Sequence, residues 1–493
     1  MSSSAIPLRT REAIEEEVRR RVETERARLV SQRPRAHFTR PAERAFTAAE
    51  RDRVTILFGG LTWKHEALVT SVFQAAASGE PGLTFNVDFG MGAFSALNVG
   101  DILNDITYQI RPFEVNAGDT DRVMNDVMHD LTRAVRARRA YEIDEHAPRW
   151  VFNVLRGRKT LRNTLNTLGK IHDHLYGRQT IEALAAARER IGAIEVDRLR
   201  VKPVVKVTGE FWAQTTEGDG NFRMFSFLER EGAQVMVESI GTWVMYVLWR
   251  AKANRIRRKD IDAPAPRWTD PRGRLFRELR FRGKLASFSF GNWFYNHQYR
   301  RVVRQLGGIA HPLVNMDDLA ALAAPYYNVF ARGGEGHIEV AKNIYYTVNK
   351  KAHMVLSLKP FGCMPSSQSD GVQSAVMNRF SDMIFLPIET AGEGEIGAHS
   401  RVQMALGEAR NKARVEFSQA LASTGQSLDG IRRFVDAHPV LRRPFYRVPH
   451  RPGVIGTAAR FVLHVSDLMD GRARFSRLPT RASRGQARAW RLW

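Results

Sequence analysis

The chain alternates short apolar runs with helical patterns, and the short runs predict buried strands. Residues 54–58 (VTILF), 204–209 (VVKVTG) and 353–358 (HMVLSL) each lead through a turn into a helical pattern. Two further strands, 233–238 (AQVMVE) and 383–388 (MIFLPI), are predicted after the second and third runs. Repeated strand–helix units predict the α/β class, with two or three Rossmann-like or flavodoxin-like units, helical insertions and an N-terminal helical arm.

The helical stretches and polar linkers between these runs indicate five segments. Residues 10–32 alternate acidic and basic side chains around an apolar stripe, which predicts a solvated amphipathic helix. From about residue 99 to about residue 190 the periodicity is helical nearly throughout. Further helices are predicted from about Ser400 to Ala422 and from Thr457 to Met469. The predicted segments are a helical arm and linker (1–50), a first α/β unit with a helical insertion (51–200), a second α/β unit with long helices (201–350), a third α/β unit (351–440), and a basic linker, helix and tail (441–493).

Loops that follow strands are where an open α/β sheet binds ligands, because the carboxyl ends of parallel strands lie at one edge. After the first strand, two glycines before a helix form an arrangement that can hold an anion, although Gly-Gly is also ordinary turn chemistry. We therefore expect these loops to converge. The candidate ligand-binding residues are Gly59, Gly60, Lys64, His65, Gly209, Glu210, Thr215, Thr216, Ser366 and Ser367.

Three residues in or near these loops are candidates for catalysis. Glu210 and Glu389 stand at predicted strand ends, where a carboxylate can act as a general base or accept a hydrogen bond from a ligand. Each can equally cap a helix or accept backbone N–H groups in its own loop. His399, near a predicted helix start, can polarise a carbonyl or act as a structural donor. The sequence leaves these alternatives open.

The only cysteine of the chain, Cys363, lies in the loop after the third strand run. Either Ser366 or Ser367 is predicted to cap the helix that follows. The thiol is thus predicted between a strand end and a helix N-terminus, where exposed amides favour a thiolate that can bind a metal or act as a nucleophile. A single cysteine and the lack of a signal-peptide pattern at the start of the sequence lead us to expect a cytoplasmic location.

Five stretches of the chain resemble one protein superfamily. They are VTILFGGLTWKHE (54–66), VVKVTGEFWAQTTEGDGN (204–221), FGCMPSS (361–367), LPIET (386–390) and GEGEIGAHSRVQMAL (392–406). The sequence resembles the large proteins related to 2-hydroxyacyl-CoA dehydratases and their activators, a superfamily that includes benzoyl-CoA reductases and double-cubane cluster proteins. The resemblance runs from about residue 10 to about residue 470. It implies an iron–sulfur cluster held by several cysteines, single-electron transfer, and electron delivery by an actin-like activating ATPase.

The cysteine content departs from that superfamily. A cluster is normally held by several thiolates, four for the common cubane, and Cys363 alone cannot supply them. The cysteine-bearing stretch of the superfamily corresponds to residues 88–105, which contain no cysteine. Cys363 is then a remnant metal ligand, and no cofactor is expected in this chain by itself, only an iron–sulfur cluster shared with a partner. We therefore expect a cluster-free accessory subunit, not an independent enzyme, paired with a cysteine-rich paralogous subunit in an ATP-driven electron-transfer system.

Two other functions stay open because the chain is strongly basic. Lys and Arg exceed Asp and Glu by 75 to 52, a formal charge of +23 that predicts acidic partners. One alternative is a cluster-independent enzyme that binds acyl-CoA or another phosphate ligand, and the other is a basic scaffold for nucleic acid or an anionic surface. No nucleic-acid-binding motif is present. No membrane span is predicted, because the longest apolar stretch, residues 241–249, is far shorter than the ~20 residues needed.

Overall fold

The structure is a computed structural model of the 493-residue chain. It describes residues 16, 19–24, 62–76, 88, 90–137, 141–143, 158–259, 261, 271–331, 334–392 and 394–476. The chain divides into one unit of residues 1–57 and another of residues 58–493. In the first unit, residues 19–24 are helical and exposed, within the stretch predicted to form the arm. The predicted strand 54–58, Gly59 and Gly60 lie outside the described residues.

Helices make up most of the second unit. They are α1 (Trp63–Ala76), α2 (Gly90–Ile110), α3 (Asp119–Arg136), α4 (Lys159–Tyr176), α5 (Arg178–Gly192), α6 (Phe211–Thr215), α7 (Met224–Arg230), α8 (Ile240–Arg257), α9 (Pro271–Gln305), α10 (Met316–Ala323), α11 (Gly336–Val348), α12 (Met364–Arg379), α13 (Glu395–Thr424), α14 (Leu428–Ala437) and α15 (Thr457–Met469). Of the helices described, none combines the length and the apolar character needed to cross a bilayer.

One small parallel sheet lies among these helices, so the fold belongs to the broad α/β class. Its strands are β1 (Val204–Gly209), β2 (Gln234–Met236), β3 (Met354–Pro360) and β4 (Phe385–Thr390), in the order β2-β1-β3-β4. All three pairings are parallel. The strands predicted for separate second and third units therefore pair directly, with Val205 opposite Met354.

The direction of strand addition reverses within this sheet. The chain adds β2 on one side of β1 and then crosses to the other side to add β3 and β4. The crevice between the carboxyl ends of β1 and β3 is thus a topological switch point, which is the usual ligand position in open α/β sheets. The loops that begin at Glu210 and Phe361 leave the sheet at this point.

One face of the sheet packs in an ordinary apolar core. Val205 and Val207 of β1 and Leu356 and Leu358 of β3 point to this face, because alternate residues of a strand share a face. The buried side chains that cover it are Phe225 and Leu228 of α7 and Val402, Leu406 and Ala409 of α13. A separate helical core surrounds α2, whose Ile102, Leu103 and Ile106 are completely buried.

Two predicted helix starts need correction. α12 begins at Met364 with Cys363 as its N-cap residue, so Ser366 and Ser367 lie inside the first turn and do not cap it. The reason is Pro365, whose fixed φ and missing N–H suit the first turn of a helix. α13 begins at Glu395, five residues before the predicted start at about Ser400.

Candidate functional site

The candidate site lies at the carboxyl edge of the sheet, between β1 and β3. Gly209 ends β1 with a φ of +123°, and a Cβ added there would lie 1.9 Å from the carbonyl oxygen of Leu358. Only glycine allows this approach. The amide of Glu210 then donates to the same Leu358 oxygen at 2.8 Å, which holds the two strand ends together.

Glu210 caps a helix in this structure. Its carboxylate accepts from the amides of Trp212 at 3.0 Å and Ala213 at 3.1 Å, at the start of α6. The hydroxyl groups of Thr215 and Thr216 donate to backbone carbonyls of the same helix, at 2.6 and 2.7 Å. The capping alternative therefore holds for Glu210, and the two threonine hydroxyls are already used in the helix.

Cys363 lies where the sequence predicts, between the end of β3 and the start of α12, and it is half-buried. The Ser366 hydroxyl lies 3.5 Å from the Cys363 sulfur and donates to Oε1 of Glu339 at 2.7 Å. The Ser369 hydroxyl donates to the other oxygen of Glu339 at 2.8 Å. Ser367 is exposed and does not join this network, whereas a buried carboxyl group on α11 stands directly beneath the thiol loop.

Glu339 is a strongly perturbed acid of this edge. Burial raises its pKa to about 7, against the opposing effect of the two serine hydroxyls and Lys359. Burial also raises the pKa of Glu335, an effect that Lys342 opposes and Glu210 reinforces. Carboxyl groups that hold a proton near neutral pH are common at functional sites. In the sequence, Glu339 and Lys342 are charged residues within a helical stretch of mostly apolar side chains, residues 337–346, but this pattern does not show which residues lie opposite them.

These groups belong to a buried polar layer between the second face of the sheet and the helices α11 and α12. Parallel sheets are usually covered by apolar side chains on both faces, so this layer is unusual. We call it the polar seam. Its members are Lys206, Thr208, Gln214, Glu238, Glu339, Lys342, Asn343, Ser357, Lys359, Ser366, Ser369, Asp370 and Gln373.

Two lysines share one carboxylate in the middle of the polar seam. Glu238 lies 3.0 Å from Nζ of Lys206 and 2.8 Å from Nζ of Lys342, and Lys342 also reaches Gln214 at 3.3 Å. Burial raises the pKa of Glu238, but the two lysines prevail and lower it to about 2. Burial lowers the pKa of Lys206. Lys359 pairs with Asp370 farther along the layer.

Some buried polar atoms of the seam have no hydrogen-bond partner among the described residues. They are Thr208 Oγ1, Asn343 Oδ1, Ser357 Oγ, Asp370 Oδ1 and Gln373 Nε2. Leaving such an atom without a partner costs about 1–3 kcal/mol, so waters or a bound group are expected beside them. The donors do not fit an iron–sulfur cluster, because Cys363 is the only thiol of the chain and all other ligands would be oxygen or nitrogen.

Two predicted catalytic residues stand apart from the seam. Nε2 of His399 lies 3.0 Å from the carbonyl oxygen of Phe222, and the imidazole ring stacks on Phe227 at 3.9 Å. His399 therefore has the structural role that the sequence left open as an alternative. Glu389 is exposed at the end of β4.

Lys64 and His65 lie on α1, and both side chains contact polar residues of α2. His65 is buried between Thr62 Oγ1 at 2.6 Å and Asp101 Oδ1 at 3.0 Å, and Asp101 accepts the first two amides of α8 at 2.8 Å each. Burial lowers the pKa of Lys64 to about 8. A cavity of about 30 Å³, enough for a water molecule, is lined by Asp101, Lys206 and Glu238 and so links this helix contact to the polar seam.

Comparison with known proteins does not add a relative. No protein-family model, curated protein or solved structure matches this chain. The resemblance in the five stretches thus rests on their residues alone.

Proposed function

We propose that this chain is a cluster-free accessory subunit that binds a cysteine-rich paralogous subunit through the carboxyl edge of its sheet. The observation that carries the proposal is the exposure of two apolar side chains on either side of Cys363: Phe361 is 75% exposed and Met364 is 54% exposed. Trp212 of α6 and Ile396 of α13 follow β1 and β4 at the same edge, and they are 51% and 83% exposed. Apolar side chains gathered at one edge suit burial by a partner protein.

The polar seam supports partner binding over catalysis at this edge. A general acid or base has to contact its substrate, yet Glu339, Ser366 and Ser369 are almost completely buried. The buried seam instead fixes the positions of the strand ends and of α12, and apolar side chains beside Cys363, Phe361 and Met364, reach solvent above it.

The nature of the partner follows from the resemblance and from the count of thiols. A cluster of the expected kind needs several thiolates, and a symmetric pair of this chain would bring only two. A paralogue with its own cysteines supplies the rest, with Cys363 as one further ligand at the interface. An actin-like ATPase that delivers electrons to the pair is the second partner in this proposal. In this proposal the four-stranded sheet is one Rossmann-like unit. The proposed location is the cytoplasm, where thiols stay reduced.

Capture of the partner from the native source tests this proposal. We expect the tagged full-length chain, purified without oxygen, to retain a protein with several cysteines, identified by mass spectrometry. Phe361→Asp should reduce its recovery at least tenfold, because a charge would be buried at the centre of the contact. Phe276→Asp, a change at a 70% exposed phenylalanine of α9, is the matched control and should not reduce it. Equal recovery with both variants, or loss with Phe276→Asp alone, would refute binding at this edge.

A further inference from the structure

A second polar cavity lies at the opposite, amino edge of the sheet. Its volume is about 350 Å³, which is within the range of small-molecule sites. Gln234, which begins β2 opposite Val204, lines it together with Gly308, Tyr446 and the first residue of α15, Thr457. Three arginines, Arg198, Arg447 and Arg460, complete the polar part of the wall, and we call this the arginine cavity.

Arg198 is a buried cation without a carboxylate partner among the described residues. Only 9% of it is exposed, and its guanidinium donates to the carbonyl oxygens of Leu441, Arg443 and Pro444 at 2.7–2.9 Å. Burial lowers its pKa to about 10, which still leaves it charged at neutral pH. Carbonyl groups satisfy its hydrogen bonds but do not cancel its charge, and a buried charge of this kind favours a nearby anion.

Arg447 and Arg460 add two further positive charges to the cavity. Nε of Arg460 is buried, and the described side chains give its guanidinium neither a hydrogen bond nor an ion pair. Arg447 packs against Gly308, where a Cβ would lie 2.3 Å from its Nη2. Gly308 has a φ of +78°, a conformation that favours glycine, and its lack of a side chain leaves room for the Arg447 guanidinium.

Two carboxylates that interact with residues of the cavity wall are already used elsewhere. Glu416, which attracts Arg460 electrostatically, accepts the amides of Ile455 and Gly456 at 2.6 Å each and lies 3.4 Å from the His353 ring. Asp105 pairs with His311, which also lines the cavity. No Asp or Glu is among the described residues that line the cavity. Its wall therefore carries an excess of positive charge from Arg460, the buried Arg198 and the exposed Arg447, and the attraction of Glu416 offsets part of the charge of Arg460.

We infer that the arginine cavity binds a small organic phosphate, an anion with two or three negative charges and a body that fills the rest of the space. Guanidinium groups match phosphate oxygens in geometry as well as in charge. The apolar part of the wall, which includes Ile110, Phe113 and Ile309, is available to the organic body. The cavity is separate from the Cys363 edge, so this inference does not depend on the proposed partner.

Isothermal titration of the full-length chain with inorganic pyrophosphate and with ADP tests the inference. We expect both probes to bind, ADP more tightly, and Arg447→Gln and Arg460→Gln each to weaken the affinity at least tenfold, because each removes a charge-assisted hydrogen bond. Arg432→Gln, at an exposed arginine of α14, is the matched control and should leave the affinity unchanged. Circular dichroism and thermal melting check that each variant is folded.

Three results would overturn the inference. The first is that neither probe binds at millimolar concentration. The second is binding that both cavity variants leave unchanged, which would assign the signal to the basic surface as a whole. The third is ADP binding no tighter than pyrophosphate, which would reduce the ligand to a free phosphate ion without an organic body.

Discussion

Glu339 shows how a single residue can make the stability of this molecule depend on pH. Its pKa of about 7 exceeds the ordinary glutamate value of 4.5, because burial disfavours the charged form. The folded state thus holds a proton between these pH values that the unfolded state lacks. The contribution of Glu339 to the free energy of unfolding is fully present below pH 4.5 and is lost as the pH rises through 7. The total loss is about 3 kcal/mol.

Glu339→Gln should remove this pH dependence, since a glutamine cannot ionise. We expect the free energy of unfolding of the unmodified chain, measured with urea from pH 5 to pH 8, to fall more steeply with pH than that of Glu339→Gln. Glu389→Gln, at an exposed glutamate, serves as the control and should keep the slope of the unmodified chain. Identical slopes for all three proteins would show that Glu339 does not hold a proton near neutral pH.

At the scale of elements, the junction of β1 and β3 depends on Gly209. Gly209→Ala would bring a Cβ against the Leu358 carbonyl oxygen in a backbone conformation that alanine disfavours. We expect it to lower the free energy of unfolding by more than about 2 kcal/mol. Gly371→Ala, at an exposed position of α12 with nothing within 4 Å of a new Cβ, should instead stabilise the chain by up to about 1 kcal/mol. Chemical denaturation of both variants checks this, and equal effects would contradict the strand contact.

The elements that the sequence predicts well are those whose signals are local. The strand 204–209 and the helix from Thr457 to Met469 have the predicted bounds, because apolar runs and helical periodicity are properties of neighbouring residues. The early start of α12 was also encoded locally, in Pro365, but the two serines after it favoured a later cap.

The candidate site was only partly predictable, because burial and pairing are tertiary properties. The position of Glu210 and Cys363 at one edge of the sheet was predictable, because chain order alone places residues that follow parallel strands there. Glu339 was missed, since nothing in its helix shows that Ser366 and Ser369 lie opposite it. The arginine cavity was missed because its three arginines are far apart along the chain: Arg198 and Arg460 are separated by 262 residues.

At the scale of the whole molecule, the two edges of the sheet have opposite character. The carboxyl edge presents exposed apolar side chains around Cys363 above a polar seam in which opposite charges are paired. The amino edge holds arginines without carboxylate partners in a cavity of about 350 Å³. We therefore propose protein binding at the first edge and ligand binding at the second, where the +23 charge of the chain would assist by attracting anions.

The accessory-subunit proposal is tested most directly by iron and acid-labile sulfide analysis of the chain purified from its native source without oxygen. We expect iron and sulfide in a complex with a cysteine-rich protein, and neither in the isolated chain after the complex is separated. Cys363→Ser should lower the iron content of the complex if this thiol is an interface ligand. A chain that elutes alone and without iron would contradict the account.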